Sequence, residues 1–170
     1  MRRERLGSLV VGAVLILGVS FASAQQPAPA TPPPPPPYGA PITLEQAKKV
    51  LAGAEAEAKK NNWYMVIVVL DSGGNLVALE RMDGAQFGSI EVAKDKAYSA
   101  VAFRRPTKAF DDAVAQGGAN LRLLKLSGAS PIEGGIPIVV DGKVIGSVGA
   151  SGGTSPQDAQ VARAGIDHLK

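Results

Sequence analysis

The sequence contains no cysteine and a single histidine, His168, near its C-terminus. The first absence excludes disulfides, cysteine-ligated zinc, thiolate catalysis and a lipidated cysteine behind a leader. Stability outside the cytoplasm would then rest on packing and oligomerisation. The second leaves a transition-metal site without the imidazoles it needs. A Ser-His-Asp arrangement would have to use His168, with no nucleophile elbow in the sequence. Charge of one sign is scarce as well. The formal net charge is +3 over 170 residues, and the basic residues are scattered, with no stripe of the kind that nucleic acid requires. Nucleic acid is therefore not an expected partner.

Much of that excess sits at the N-terminus. Arg2, Arg3 and Arg5 precede an apolar run over residues 6–21, which closes on Ala22-Ser23-Ala24. A basic start, a short apolar stretch and a small-x-small ending describe a secretory signal peptide cleaved after Ala24. An uncleaved anchor is the alternative; residues 6–22 are at the short limit for a spanning helix and carry Gly7, Gly12 and Gly18. The Arg2-Arg3 pair keeps the twin-arginine route open. Losing three arginines and one glutamate from 18 basic and 15 acidic residues leaves 15 and 14, close to neutrality. The chain is thus expected in the periplasm or secreted, with no stable membrane span after cleavage.

Residues 25–41 contain six consecutive prolines at 32–37. Proline fixes φ and lacks a donor, so this stretch reads as a disordered, extended spacer; a polyproline ligand for an adaptor is the other reading. The folded domain is expected over residues 42–170. Thr43 and Gln46 form a capping box, and Leu44, Ala47, Val50, Leu51, Ala54 and Ala58 mark one face of a helix to about Lys60. The apolar run at 63–70 predicts a strand buried on both faces. Asp71-Ser72-Gly73-Gly74-Asn75 predicts a turn, and residues 76–81 the returning strand. A helix with the small-residue face Ala93, Ala97 and Ala100 starts at Ser89 and breaks at Pro106. Thr107 caps or precedes a short helix to about Gln116. Residues 120–130 fit a strand or a loop. Residues 134–140 and 143–148 form a hairpin around Asp141-Gly142. Ser155 is the expected N-cap of a final helix, with Pro156 in its first turn.

These motifs, in order, resemble the GlcG/HbpS-like family, also described as haem-binding or haem-degrading. The resemblance rests on Val69-Leu70-Asp71-Ser72-Gly73-Gly74, Arg81-Met82-Asp83-Gly84-Ala85, Lys96-Ala97 and Phe103-Arg104-Arg105-Pro106-Thr107. It continues through Gly134-Gly135-Ile136-Pro137-Ile138, Gly142-Lys143-Val144-Ile145-Gly146 and Gly149-Ala150-Ser151-Gly152-Gly153 with Gln157-Asp158. It implies an α/β (α+β) profilin-like three-layer domain, with a central, mostly antiparallel sheet of about five strands flanked by helices. It also implies homo-oligomers and haem as a ligand, with haem breakdown in some members and fusion to corrinoid adenosyltransferases in one branch. Many members carry histidine where this chain has Asn75, a poor iron ligand.

Candidate binding residues follow. An axial iron ligand is expected from His, Met, Tyr or Cys; His168 is such a residue, though it also suits a helix C-terminus. Lys96, Arg104 and Arg105 could hold carboxylates such as haem propionates; Lys96 and Arg104 equally suit a solvated helix face, while Arg105, just before the break at Pro106, is expected to turn toward a pocket. Ser99 and Thr107 match hydroxyl positions near haem in one branch; their ordinary roles are a small helix residue and a cap. Gly152 and Gly153 lead into a helix N-terminus, where free N–H groups favour an anion or the chain simply turns. Asp71 and Asp83 suit turns, and Glu55 and Glu57, two apart, do not share a helix face. The expected function is small-ligand binding, with haem or iron sequestration foremost. An enzyme acting on haem or on a small carboxylate, and a non-catalytic accessory module, are the alternatives. Terminal sequencing of the exported protein should begin at Gln25; a chain that retains residues 1–24 would make the segment an anchor.

Overall fold

The computed structural model describes residues 33–169. The expected signal peptide, residues 1–24, and the first part of the spacer lie outside them. The elements are α1 (Leu44–Lys60), β1 (Val66–Asp71), β2 (Leu76–Arg81), α2 (Ser89–Phe103) and α3 (Lys108–Ala115). A 3₁₀ helix (Gly118–Lys125), β3 (Gly135–Val140), β4 (Lys143–Ser151) and α4 (Ser155–Leu169) follow. The four strands form one antiparallel sheet in the order β2-β1-β4-β3. α1 and α4 cover one face and α2 the other, giving an α+β domain of three layers.

β1 lies inside the sheet, and its unbroken β-branched run serves both faces. Ile67 and Val69 pack with α1 and α4, while Val66, Val68 and Leu70 pack against α2. All five are buried, and each such side chain contributes roughly 2 kcal/mol relative to exposure. In β4 the pairing with β3 shifts between Ile138 and Val139, leaving Ile145 as the extra residue. That bulge reverses the facing of what precedes it. Val144 therefore joins the α2 side, and Val148 and Ala150 the other.

α2 approaches the sheet unusually closely because the strands beneath it carry glycine. A Cβ at Gly149 would overlap the Ala93 carbonyl oxygen and lie 2.7 Å from the Ala97 nitrogen. One at Gly135 would overlap the Lys96 carbonyl. The helix answers with alanines at 93, 97 and 100, all fully buried. Ser147 Oγ donates to the Ala97 carbonyl at 2.7 Å across the same contact.

Several expectations are corrected. The sheet has four strands rather than about five, because residues 118–125 are a 3₁₀ helix and neither strand nor loop. Gly117 and Gly118, both at positive φ, curl the chain there. Of the two roles expected of Thr107, it directly precedes α3 and does not cap it with its side chain; its Oγ1 accepts from the Gly135 N–H at 3.0 Å and pins the α2–α3 corner to β3. Thr154, not Ser155, precedes the first turn of α4: its carbonyl accepts from Asp158 N–H, and Gln157 Oε1 accepts from its N–H. The capping box at Thr43 and Gln46 is present as expected.

The end of the proline-rich stretch contacts the domain. Val144 N–H donates to the Pro37 carbonyl, and Gly39 N–H to the Val144 carbonyl, each at 2.8 Å. Tyr38 Oη donates to the Val101 carbonyl at 2.8 Å, and the Arg104 guanidinium lies 5.2 Å from the Tyr38 ring centre. Arg104 Nη1 also donates to the Pro36 carbonyl at 3.2 Å. From Pro36 the chain is docked on the domain, ahead of the expected boundary at residue 42. Gly149→Ala is expected to lower stability by about 3 kcal/mol through overpacking against helix backbone, read as a loss in denaturant midpoint at unchanged m-value.

Candidate functional site

Five of the residues singled out from the sequence serve the interior. Lys96 Nζ donates to Asp158 Oδ2 at 2.6 Å and to the Ala150 carbonyl at 3.3 Å, with Lys96 1% and Asp158 3% exposed. Asp158 Oδ1 accepts from Gly153 N–H at 2.9 Å, so that amide is not free for an external anion. Burial pushes the Asp158 carboxyl above the ordinary carboxylate range, and the Lys96 ammonium and the Gly153 and Gly152 amides pull it back only in part. Gly152 has φ +155, and a Cβ there would overlap the Tyr64 carbonyl oxygen. Thr107 is spent on Gly135. Ser99 is fully buried, and its Oγ has no hydrogen-bond partner among the described residues.

The remaining candidates are at the surface. Arg105 is exposed; its Nε donates to the Phe103 carbonyl at 3.3 Å, and its guanidinium lies 5.5 Å from the Phe110 ring centre. His168 is exposed on α4 and crowds Gly53 of α1, where an added Cβ would overlap its own Cβ. It lines none of the recesses described below. Asn75 Nδ2 donates to both oxygens of Asp71 at 3.2 Å. Burial alone would raise the Asp71 carboxyl, but donors from Asn75 and Gly73 outweigh it and hold it below its ordinary value. Position 75 is therefore a brace for the β1–β2 turn.

Sequence reasoning missed the residue on which the surface features converge, Tyr98. Its ring stands half-exposed on the open face of α2, between two backbones. Its edges lie 3.2 Å from where a Cβ of Gly74 would be and 2.9 Å from one of Gly128. On one side it borders a recess of about 120 Å³ shared with Tyr38, Gly74 and Ala102. On the other it borders one of about 280 Å³ formed with Asp95, Gly128, Ser130 and Pro131. Arg104, stacked on Tyr38, and Arg105 follow at the C-terminal end of the helix. This face combines aromatic surface, small residues and the Arg104 guanidinium, with Arg105 next in the chain over Phe110, which suits a flat apolar group bearing carboxylates.

Of the larger recesses elsewhere, one of about 350 Å³ is lined by Gln46, Val139, Val140, Ile166 and Leu169, and two others carry the opposite balance. A cleft of about 290 Å³ between α3, the start of β3 and α4 pairs Lys108 and Arg163 with Asp112 and Glu133 over an apolar floor. Lys108 is already bound to Asp112 at 2.7 Å. The adjoining 430 Å³ trough along α4 adds Glu57 and Asp167. Neither has a surplus of cations for an anionic ligand. A carboxyl pair, Glu55 and Glu80, sits between α1 and β2. Burial, then the Glu55 charge, raises Glu80, while the Lys59 hydrogen bond holds Glu55 down. That pair borders none of these recesses. Among the described residues no group of three or more His, Cys, Asp or Glu could hold a metal ion. No helix there is long and apolar enough to cross a membrane.

Comparison with known proteins adds the family context. A family model described as haem degrading protein HbpS-like matches residues 42–167. An uncharacterized 15.0 kDa protein from the dhaT-dhaS intergenic region of Citrobacter freundii is 43% identical over 131 residues, covering 75% of this chain and 92% of that protein. The crystal structure of HbpS is 32% identical, with TM-score 0.71 over 78% of this chain and 92% of that one. A crystal structure of a PduOC:heme complex is 28% identical, with TM-score 0.69 over 75% and 94%.

Lys96→Met should cost about 3–5 kcal/mol at neutral pH, because it strands a buried carboxylate. Removing the ammonium raises the Asp158 carboxyl further, so folding takes up a proton that the unfolded chain releases nearer pH 4. The loss should therefore shrink as pH falls from 7 to 5. Denaturant unfolding of both proteins at the two pH values checks this; an equal loss at each would show that Asp158 stays ionised without its partner.

Proposed function

The chain belongs to the HbpS-like family, and we propose that it is an exported haem-binding protein holding the porphyrin on the open face of α2. The observation that carries this reading is the meeting of Tyr98 with Tyr38 and glycine-lined recesses, the Tyr38 ring carrying the Arg104 guanidinium. A relative of the same fold is crystallised as a haem complex, which favours a tetrapyrrole over other flat carboxylates.

The residues present fit the group by a route different from the one expected from sequence. Lys96, Thr107 and Gly153 are held by internal bonds and cannot reach a ligand without breaking them. Tyr38, Tyr98 and Ala102 supply a surface for the ring. Arg104 and Arg105 pair with the propionates; Arg104 has an aromatic neighbour in Tyr38, and Arg105 has Phe110, which limits the entropy lost on binding. Asp95 borders the larger recess and repels carboxylates, which turns them toward the arginine end. Bound haem would bring a redox-active iron to this face. We read the protein as a carrier or sink for haem in the periplasm or outside the cell, assembled with copies of itself.

Haemin titration of the exported protein should give saturable, roughly stoichiometric binding in the Soret absorbance. Arg105→Ala should weaken it about tenfold, equivalent to about 1.4 kcal/mol, and Arg104→Ala by a similar factor. His168→Ala should leave it unchanged. A featureless, nonsaturating response would remove haem from the account.

A further inference from the structure

We propose that Tyr98 is the protein's axial ligand to ferric haem iron, through its phenolate oxygen. This rests on the haem reading above and adds the identity of the iron ligand.

The side chains able to ligate haem iron are His, Met, Tyr and Cys, and the structure assigns most of them elsewhere. The chain has no cysteine. His168 crowds Gly53 at the α1–α4 contact. Met65 is fully buried, and Met82 packs against the α1–α4 core. Tyr38 Oη is engaged with the Val101 and Ala102 carbonyls at the end of α2. Tyr64 is exposed but borders none of the recesses described. Tyr98 alone among these described side chains combines three properties. It is half-exposed, it borders recesses on both sides, and its hydroxyl bonds to nothing among the described residues.

The ring is also held for the task. Gly74 and Gly128 close on its two edges, so any side chain at either position would displace it. A ring fixed at both edges presents its oxygen in a set direction, which lowers the ordering cost of coordination. On ligation the phenol releases its proton to solvent and the oxygen donates a lone pair to iron. The iron remains ferric, so no oxidant or reductant enters.

The test uses the exported protein and haemin, followed by optical absorption, resonance Raman and electron paramagnetic resonance. The expected complex is ferric, with a phenolate-to-iron charge-transfer band and phenolate Raman modes. Tyr98→Phe should lose both signatures and bind haemin about tenfold more weakly, with its thermal unfolding unchanged because the ring still fills the Gly74–Gly128 gap. Tyr64→Phe should behave as the parent. Saturable haemin binding without a phenolate signature, or with one that survives Tyr98→Phe, overturns the ligand assignment and leaves the haem reading standing. Absence of saturable haemin binding in the parent protein overturns both.

Discussion

The buried Lys96–Asp158 ion pair orients the rest of the domain. α2 and α4 lie on opposite faces of the sheet, and this pair joins them past its end, beside Gly134 and Ala150. Two charges removed from water are tolerated only with their remaining bonds made. Here the Ala150 carbonyl and the Gly153 amide complete them. The pair also sets the rotation of α2. With Lys96 inward, a residue two positions on is turned by about 200° around a helix of 3.6 residues per turn. Tyr98 must therefore face solvent, and Ala102, one turn later, stands on the same side.

What lies on either side of that face follows from close backbone approach. Gly135 and Gly149 let α2 sink onto β3 and β4 until helix and strand backbones nearly touch. At that depth the β1–β2 turn, braced by Asp71 and Asn75, reaches one edge of Tyr98 through Gly74. The loop after the 3₁₀ helix reaches the other through Gly128. At the end of α2 the left-handed Arg104 stops the helix and meets the docked Tyr38. Interior packing thus builds the surface to which a ligand is assigned.

The framework was legible in the sequence wherever one element had one dominant pattern. The alanine spacing of α2, the Asp141-Gly142 turn and the Thr43–Gln46 box form as read, and the β-branched run forms β1 from Val66 rather than from Trp63, with Tyr64 exposed ahead of it. Residues 118–125 were not legible, because their leucines fit several periods and two positive-φ glycines decided the outcome. The site was harder to read for one physical reason. A lysine, a serine and glycines beside a helix start look the same whether they serve a ligand or the core. Lys96 did carry a signal: it falls on the i, i+3, i+4, i+7 row with Ala93, Ala97 and Ala100, the buried side of α2. The same helical wheel puts Tyr98 outside. Its two flanking glycines come from segments distant in sequence, so only the fold brings the three together.

The central claim is that haem lies on the open face of α2, and paramagnetic broadening in an amide correlation spectrum of the protein with ferric haemin tests it most directly. The account predicts loss of signals from residues 73–75, 98–105 and 126–130, with those of Gly134, Gly135 and Arg163 retained. Broadening centred on Ile136, Ala159 and Arg163 would move the ligand to the cleft beside α4 and contradict the account.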